Sequence, residues 1–375
     1  MWENIIGQAT VINTLKNITK NNKLAHAYIF FGPGGVGKDA VAIEFAKMVN
    51  CDNLQEDLNP CNSCHSCRSI NALSSPEFKF ITALPTAESE NDKSDSPVDK
   101  LSKDDYETYL GELAQKSSDP YYKISIPRAN FIRIDSIRQI KKEVYLTGSK
   151  GKKKIFLISN CDTLSPVSAN SLLKILEDPP GNSLMILTTS RLNSLPPTII
   201  GRCQKIKFSY LTSDDLMIYM KNKYPDLTIK EIEFYSKISE GSITKLREII
   251  DSDYIQIRDL MIEMLRSVAT RKNVKLQKEI KIILEDKNKE RIKQFLQMIQ
   301  VWFRDVIYYS ENVKDKIINS DRSETLDKFV KNIESDNHSV IRLIENSIEL
   351  INMNINPESV LNKTMHELQS KVIQH

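Results

Sequence analysis

The segment GPGGVGK, Gly32 to Lys38, lies between an apolar run, Ala27–Phe31, and a helical pattern, Ala40–Ala46. Strand, glycine loop and helix in that order are the context a phosphate-binding loop requires. Gly32, Gly34, Gly35, Val36 and Gly37 let backbone N–H groups close around phosphate oxygens. The helix N-terminus adds positive potential, and Lys38 reaches the terminal phosphates. The residue after the lysine is ordinarily Ser or Thr, whose hydroxyl goes to Mg²⁺. Here it is Asp39. A carboxylate can ligate magnesium, but it adds negative charge beside the phosphates. ATP or ADP is the expected ligand, with Mg²⁺ in question.

Hydrolysis on such a loop needs one carboxylate at the end of a second strand to hold Mg²⁺ and a neighbour to polarise water. The second strand is Ile155–Ile158, and Ser159, Asn160, Cys161 and Asp162 follow it. Neither Ser159 nor Asn160 can act as a base. Asp162 comes too late and is expected as a loop or capping carboxylate. The chain therefore reads as a P-loop protein without its catalytic acids.

Cys51, Cys61, Cys64 and Cys67 have the spacing C-x9-C-x2-C-x2-C. Close pairs of this kind let four thiolates meet one tetrahedral Zn²⁺ at about 2.3 Å. Four sulfur ligands leave no open position, so the metal is expected to be structural and to fold a loop with little core of its own. His65, between two of the cysteines, is expected to face solvent. A redox or iron–sulfur role is the alternative.

The elements that position these residues alternate in the first part of the chain. Ala27–Phe31, Ile155–Ile158 and Leu184–Thr188 are short continuous apolar strands separated by helices, the pattern of a buried parallel sheet. Between the last two, Ala169, Leu172, Leu173 and Leu176 share one helix face; Ser165 caps that helix, Pro166 occupies its first turn and Pro179–Gly181 stops it. Residues 84–119 are acid-rich, and the stretch AESENDKSDSPVDKLSKDD within them has almost no large apolar residue, so they are expected to be a mobile insertion with a short helix over Tyr106–Gln115. After about residue 208 the strands vanish. Ile257, Leu260, Met261, Met264, Leu265 and Val268 follow helical spacing, as do Ile292, Phe295, Leu296, Ile299, Phe303 and Val306, and such stripes form core.

The chain has 375 residues, which predicts two or three domains. Its net charge of +3 does not mark a nucleic-acid binder. The N-terminus lacks a basic region followed by an apolar run, and no stretch has the apolar length of a membrane span. A cytoplasmic protein without membrane partners is expected, in which clustered cysteines argue for metal rather than disulfides.

Taken together, these motifs resemble the bacterial clamp-loader family of AAA+ proteins, which includes the ATPase gamma/tau subunit and its relative delta-prime. Ile5–Gln8 resembles the N-terminal box and Leu24–Tyr28 the lead into the P-loop strand. A cysteine module follows the P-loop helix as it does in the family. Ile134–Arg138 is similar to the segment before the second strand, Ala169–Pro180 to the family's most recognisable helix, and Thr188 and Thr189 to its sensor-1 region. Pro196–Cys203 resembles the Ser-Arg-Cys motif, with Gly201 in place of serine. Trp302–Asp305 and Asn354–Pro357 look like landmarks of the collar.

The resemblance implies an α/β AAA+ P-loop core with a parallel sheet and an inserted zinc module over 1–208. A small helical lid over 209–251 and an all-α collar for oligomerisation over 252–375 would follow. It implies a place beside the gamma/tau and delta subunits in a complex that loads the sliding clamp onto primer-template DNA. It also implies that Arg202 projects into a neighbouring subunit's ATP site, as a catalytic residue in trans. The missing acid pair and the length favour the delta-prime type. An ATP-hydrolysing gamma/tau-type subunit is the alternative. A zinc-stabilised DNA-binding module, supported only by the basic run 150–154, is the second.

Overall fold

The computed structural model of the chain describes residues 2–86, 96–145, 151–285 and 288–374. They divide into two compact units, 1–222 with 239–245, and 223–238 with 246–375.

The first unit is built on five parallel strands: β1 (Ala27–Phe31), β2 (Phe78–Ile81), β3 (Lys154–Ile158), β4 (Ser183–Thr189) and β5 (Gln204–Lys207), in the order β2-β3-β4-β1-β5. This is the parallel sheet expected of the P-loop core. β1 and β4 pair from Ala27↔Met185 to Phe31↔Thr189, and β3 and β4 from Lys154↔Ser183 to Ile158↔Leu187. The carboxyl ends of β1, β3 and β4 therefore lie side by side, which is where open α/β sheets bind ligands.

Residues of β1, β3 and β4 are buried on both faces, which explains why their sequences are apolar without alternation, whereas edge strand β5 is mostly exposed. On one face Ala27, Ile29, Phe156, Ile158, Met185 and Leu187 meet α5 (Ile134–Val144) through Ile137 and Ile140, and α6 (Pro166–Glu177) through Leu172 and Ile175. On the other, Tyr28 and Phe30 pack on Phe45 of α2 (Lys38–Asn50), the Tyr28 and Phe45 rings lying edge to face at 5.6 Å. Further helices of this part include α1 (Ala9–Lys20), α3 (His65–Asn71), α4 (Lys103–Ser118) and α7 (Pro197–Ile200). The start of α6 is as its sequence predicts: Ser165 Oγ accepts from Ser168 N at 3.2 Å, with Pro166 in the first turn.

The stretch 84–119 departs from the expectation of an unanchored insertion. Residues 87–95 lie outside those described. Beyond them α4 runs for 16 residues, longer than the helix read from the sequence. Ser102 caps it, Arg128 binds Asp105 at 2.9 Å, and Glu112 accepts from Tyr122 Oη at 2.9 Å. Polar contacts rather than apolar burial hold it, so its composition resembles that of a solvated segment.

The stretch expected as a lid is divided. α8 (Ser213–Lys223) lies almost wholly in the first unit and α9 (Ile229–Ile238) in the second, while residues 239–245 return to the first because Ile243 N donates to Gly35 O at 2.9 Å. α10 (Ile243–Ile250) leads from there into the second unit.

That unit is helical: α11 (Tyr254–Ala269), α12 (Asn273–Leu284), α13 (Lys289–Ser310), α14 (Ser323–Asn332), α15 (Asn337–Asn352) and α16 (Pro357–Lys371), with a short antiparallel pair, Ile333–Ser335 and Val372–Gln374. The predicted stripes on α11 and α13 are core apart from half-buried Leu260, and Phe295, Trp302 and Phe303 are fully buried. Asp305 is buried too. It accepts from Ile318 N, Asn319 N and Asn319 Nδ2 at 2.7–3.0 Å; burial pushes its carboxyl up and these bonds pull it part of the way back. Arg258 pairs with Asp321 at 2.7 Å and lies 4.0 Å over the Phe234 ring. No helix of the described residues is long and apolar enough to cross a membrane.

Candidate functional site: the phosphate loop, the cysteine cluster and Arg202

The loop Gly32–Lys38 joins β1 to α2, and other segments of the unit press on it. Gly35, at φ +75°, leaves room for Ser242: a Cβ there would stand 2.1 Å from its Oγ. Gly37, at φ +91°, admits the Tyr121 ring, whose Cε1 would be 2.6 Å from a Cβ. Tyr121 Oη in turn accepts from Ile6 N at 2.7 Å. Gln8, in the N-terminal box, donates to Ser209 O at 2.7 Å and reaches Val36 O at 3.5 Å. Gly34 has open space around it.

Lys38 is folded onto its own loop. Its Nζ donates to Gly32 O at 2.9 Å and Pro33 O at 2.5 Å. Burial pulls its pKa down, against the opposing charges of Asp39 and Asp162.

Asp39 is the hub of the site. Its Oδ1 accepts from Thr188 Oγ1 and its Oδ2 from Ser159 Oγ, both at 2.7 Å, and Lys116 Nζ stands 3.5 Å from Oδ2. Burial raises its pKa, but the Lys116 charge, the two hydroxyl donors and the Lys38 charge outweigh it and hold the carboxyl below its ordinary value. Ser159 thus occupies the strand-end position expected of an acid and serves as a donor to the loop. Asn160, at φ +51°, turns the chain and gives its N–H to Thr188 Oγ1 at 3.2 Å. Asp162 is engaged as well: Thr189 Oγ1 donates to it at 2.8 Å and Arg191 Nε at 2.9 Å. It is a loop carboxylate, as the sequence suggests, and its oxygens hold Arg191.

Sequence reasoning missed Lys116 and Tyr121. A lysine near the end of an acid-rich stretch looks solvated. The one available signal is the run Asp119-Pro120-Tyr121-Tyr122, an aromatic pair at a helix end that solvent exposure would not favour.

The four cysteine sulfurs lie within 4.8 Å of one another. A tetrahedral Zn²⁺ at about 2.3 Å from each sulfur sets them roughly 3.8 Å apart, so the group fits a metal ion with a small contraction. Successive N–H groups already point at the sulfurs: Cys61 N to Cys51 at 3.3 Å, and Cys64 N to Cys61 and Cys67 N to Cys64, each at 3.4 Å. The Cys64 N–H, with Ser63 beside it, holds the Cys61 thiol down to about 6, whereas burial pushes Cys67 up. Lys47 of α2, paired with Glu44, anchors the turn through Asn62 Oδ1 at 2.9 Å. His65 is exposed. Cys161 and Cys203 are buried elsewhere, the latter pushed up to about 12 by burial.

Arg202 lies between α7 and β5. Its Nη1 donates to Thr198 O at 2.8 Å and its Nη2 pairs with Glu177 at 2.7 Å. The side chain is about a third exposed. Gly201 has φ −68°, open to any residue, and a Cβ would meet only Pro197 O at 3.3 Å. The backbone therefore does not demand glycine here.

The family model described as DNA polymerase III, delta subunit, matches residues 7–212, which include the phosphate loop, the cysteines and Arg202. The chain belongs to that family. It is 28% identical over 272 residues to DNA polymerase III subunit tau of Bacillus subtilis (strain 168), across 70% of this chain and 40% of that one. It is 27% identical over 254 residues to DNA polymerase III subunit gamma of Buchnera aphidicola subsp. Schizaphis graminum (strain Sg), across 66% of this chain and 57% of that one. The match thus spans about half the length of these relatives. Among solved structures, the gamma subunit-related protein of Thermotoga maritima aligns with 96% of this chain and 99% of its own at a TM-score of 0.46 and 13% identity.

The loop's packing leads to a paired prediction. Gly35→Ala forces a side chain into Ser242 and an L-residue into φ +75°, and is expected to destabilise the core by about 2 kcal/mol or more. Gly34→Ala, in open space, is expected to change stability by less than about 0.5 kcal/mol. Urea unfolding of the two variants measures the difference, and equal losses would refute the packing role.

Proposed function

We propose that the chain is a delta-prime-type subunit of the bacterial DNA polymerase III clamp loader. It lacks ATPase activity of its own and lends Arg202 to a neighbouring ATPase subunit. Gamma/tau and delta subunits are its direct partners, and the sliding clamp and primed DNA are met through the complex. The observation that carries this reading is the phosphate loop's surroundings: Ser159 and Asn160 stand where the acids belong, and Asp162 is tied to Thr189 and Arg191.

Arg202 is suited to act in trans. Its pairing with Glu177 is half in solvent, and such pairs contribute about 1 kcal/mol or less, so docking can exchange Glu177 for phosphate at little cost. A guanidinium beside the γ-phosphate stabilises the charge that builds there, an effect worth about 10³–10⁵ in rate in phosphoryl-transfer systems. In the neighbouring module, Cys51, Cys61, Cys64 and Cys67 hold a structural zinc that fixes the turn after α2.

A second reading, an ATP-hydrolysing gamma/tau-type subunit, is favoured by the names of the relatives, tau and gamma. Turnover separates the two. The isolated chain is expected to hydrolyse ATP negligibly; a rate typical of P-loop ATPases, abolished by Lys38→Ala, would establish the second reading.

In a reconstituted loader, Arg202→Ala is expected to assemble normally and to lower clamp- and DNA-stimulated ATPase, because one neighbouring site loses its guanidinium. Arg202→Lys restores the charge without the planar fork and should recover only part. Equal rates in a complex containing every subunit would leave Arg202 without a catalytic part. The purified chain is also expected to carry about one zinc. Metal analysis showing none, with four thiols titrating freely in the native protein, would exclude the zinc module.

A further inference from the structure

A phosphate loop of this kind is expected to take Mg²⁺ beside the residue that follows its lysine, and the residues here do not suit that ion. Mg²⁺ demands near-octahedral oxygen ligands at about 2.1 Å. Both Asp39 oxygens already accept hydroxyl protons, from Thr188 and Ser159, and an ammonium stands beside them. We propose that Lys116 takes the place of the divalent cation, so that the loop is complete without metal and α4 is latched to it.

The ammonium donates to two carbonyls and pairs with one carboxylate where it stands. Lysine has three N–H donors, and Lys116 Nζ faces three acceptors: Pro120 O and Tyr122 O, each at 2.8 Å, and Asp39 Oδ2 at 3.5 Å. The side chain is only 4% exposed. A lone ammonium is not tolerated at such burial, so its position depends on Asp39. The two carbonyls come from the turn that follows α4. Tyr121, between them, is seated against Gly37 and tied to Ile6 N. The carbonyls that hold the ammonium and the ring that covers Gly37 therefore belong to one short segment packed on the loop.

Three departures from an ordinary phosphate loop then form one compensated set. The carboxylate has moved from the strand end to position 39. The strand end has become Ser159, which donates to that carboxylate; an acid there would oppose a like charge at hydrogen-bond distance. The cation has become Lys116. One ammonium then balances one carboxylate, and the metal is dispensed with. The family's ATPase chemistry does not require this arrangement, and Lys116 lies on a stretch with no P-loop motif.

A double-mutant cycle on the full chain tests the pairing. Lys116→Met keeps the length of the side chain and removes its charge, stranding the Asp39 carboxylate; the core's melting temperature is expected to fall by about 5–10 °C. Asp39→Asn strands the ammonium and should cost a similar amount. In the double variant most of the loss should return, because neither charge remains. Strictly additive losses would overturn the pairing. A second measurement does not depend on the variants folding: Mn²⁺, as a paramagnetic probe, is titrated into the wild-type chain with and without ADP. No binding at the loop is expected. Stoichiometric Mn²⁺ binding with ADP, abolished by Asp39→Asn, would show that the ammonium does not replace the cation. Because these experiments read melting and metal, and Arg202 is tested by turnover in the complex, the two proposals can fail separately.

Discussion

A carboxylate at the mouth of a phosphate loop must be neutralised, and the surroundings of Asp39 follow from that requirement. Thr188 from the end of β4 and Ser159 from the end of β3 donate to its two oxygens, and Lys116 supplies the charge. The ends of two strands, the start of α2 and the last turn of α4 are tied together through one side chain. Remove the ammonium and the hydroxyls remain, but two neutral hydrogen bonds do not offset a partly buried anion. The insertion, which contributes little apolar surface, thus contributes a charge instead.

The glycines serve this packing as much as they would serve phosphate. Gly35 and Gly37 each accept a side chain from elsewhere in the unit, Ser242 and Tyr121, at distances a Cβ would forbid. A loop selected for close approach of phosphate oxygens is equally fit for close approach of protein atoms. The motif's glycines therefore serve packing beside a strand end that carries Ser159 and Asn160.

Arg202 and the cysteine cluster illustrate two ways of presenting a group. The cysteine turn is held by Lys47 through Asn62 and from within by its own N–H groups, so the chain's own contacts gather the four sulfurs. Arg202 is held by one exposed carboxylate and one carbonyl, an arrangement that orients the guanidinium without burying it. The first arrangement gathers its groups; the second leaves the guanidinium about a third exposed.

The sequence by itself determined much of the fold. The strand–loop–helix at Gly32–Lys38, the Ser165 cap of α6, the helical stripes on α11 and α13 and the cysteine spacing are all written within a few neighbouring residues, where backbone period and side-chain reach are fixed. The residues that end β3, Ser159 and Asn160, are read directly as well. The tertiary structure alone decided which distant groups meet. It placed Lys116 against Asp39, Tyr121 on Gly37, Glu177 on Arg202 and residues 239–245 on the loop, where composition suggests a solvated insertion and the family resemblance a separate lid. An ion pair buried by chain crossing leaves no periodicity behind. A lysine in a polar stretch has the same sequence signature in water as under the turn that follows α4, and only the fold distinguishes the two.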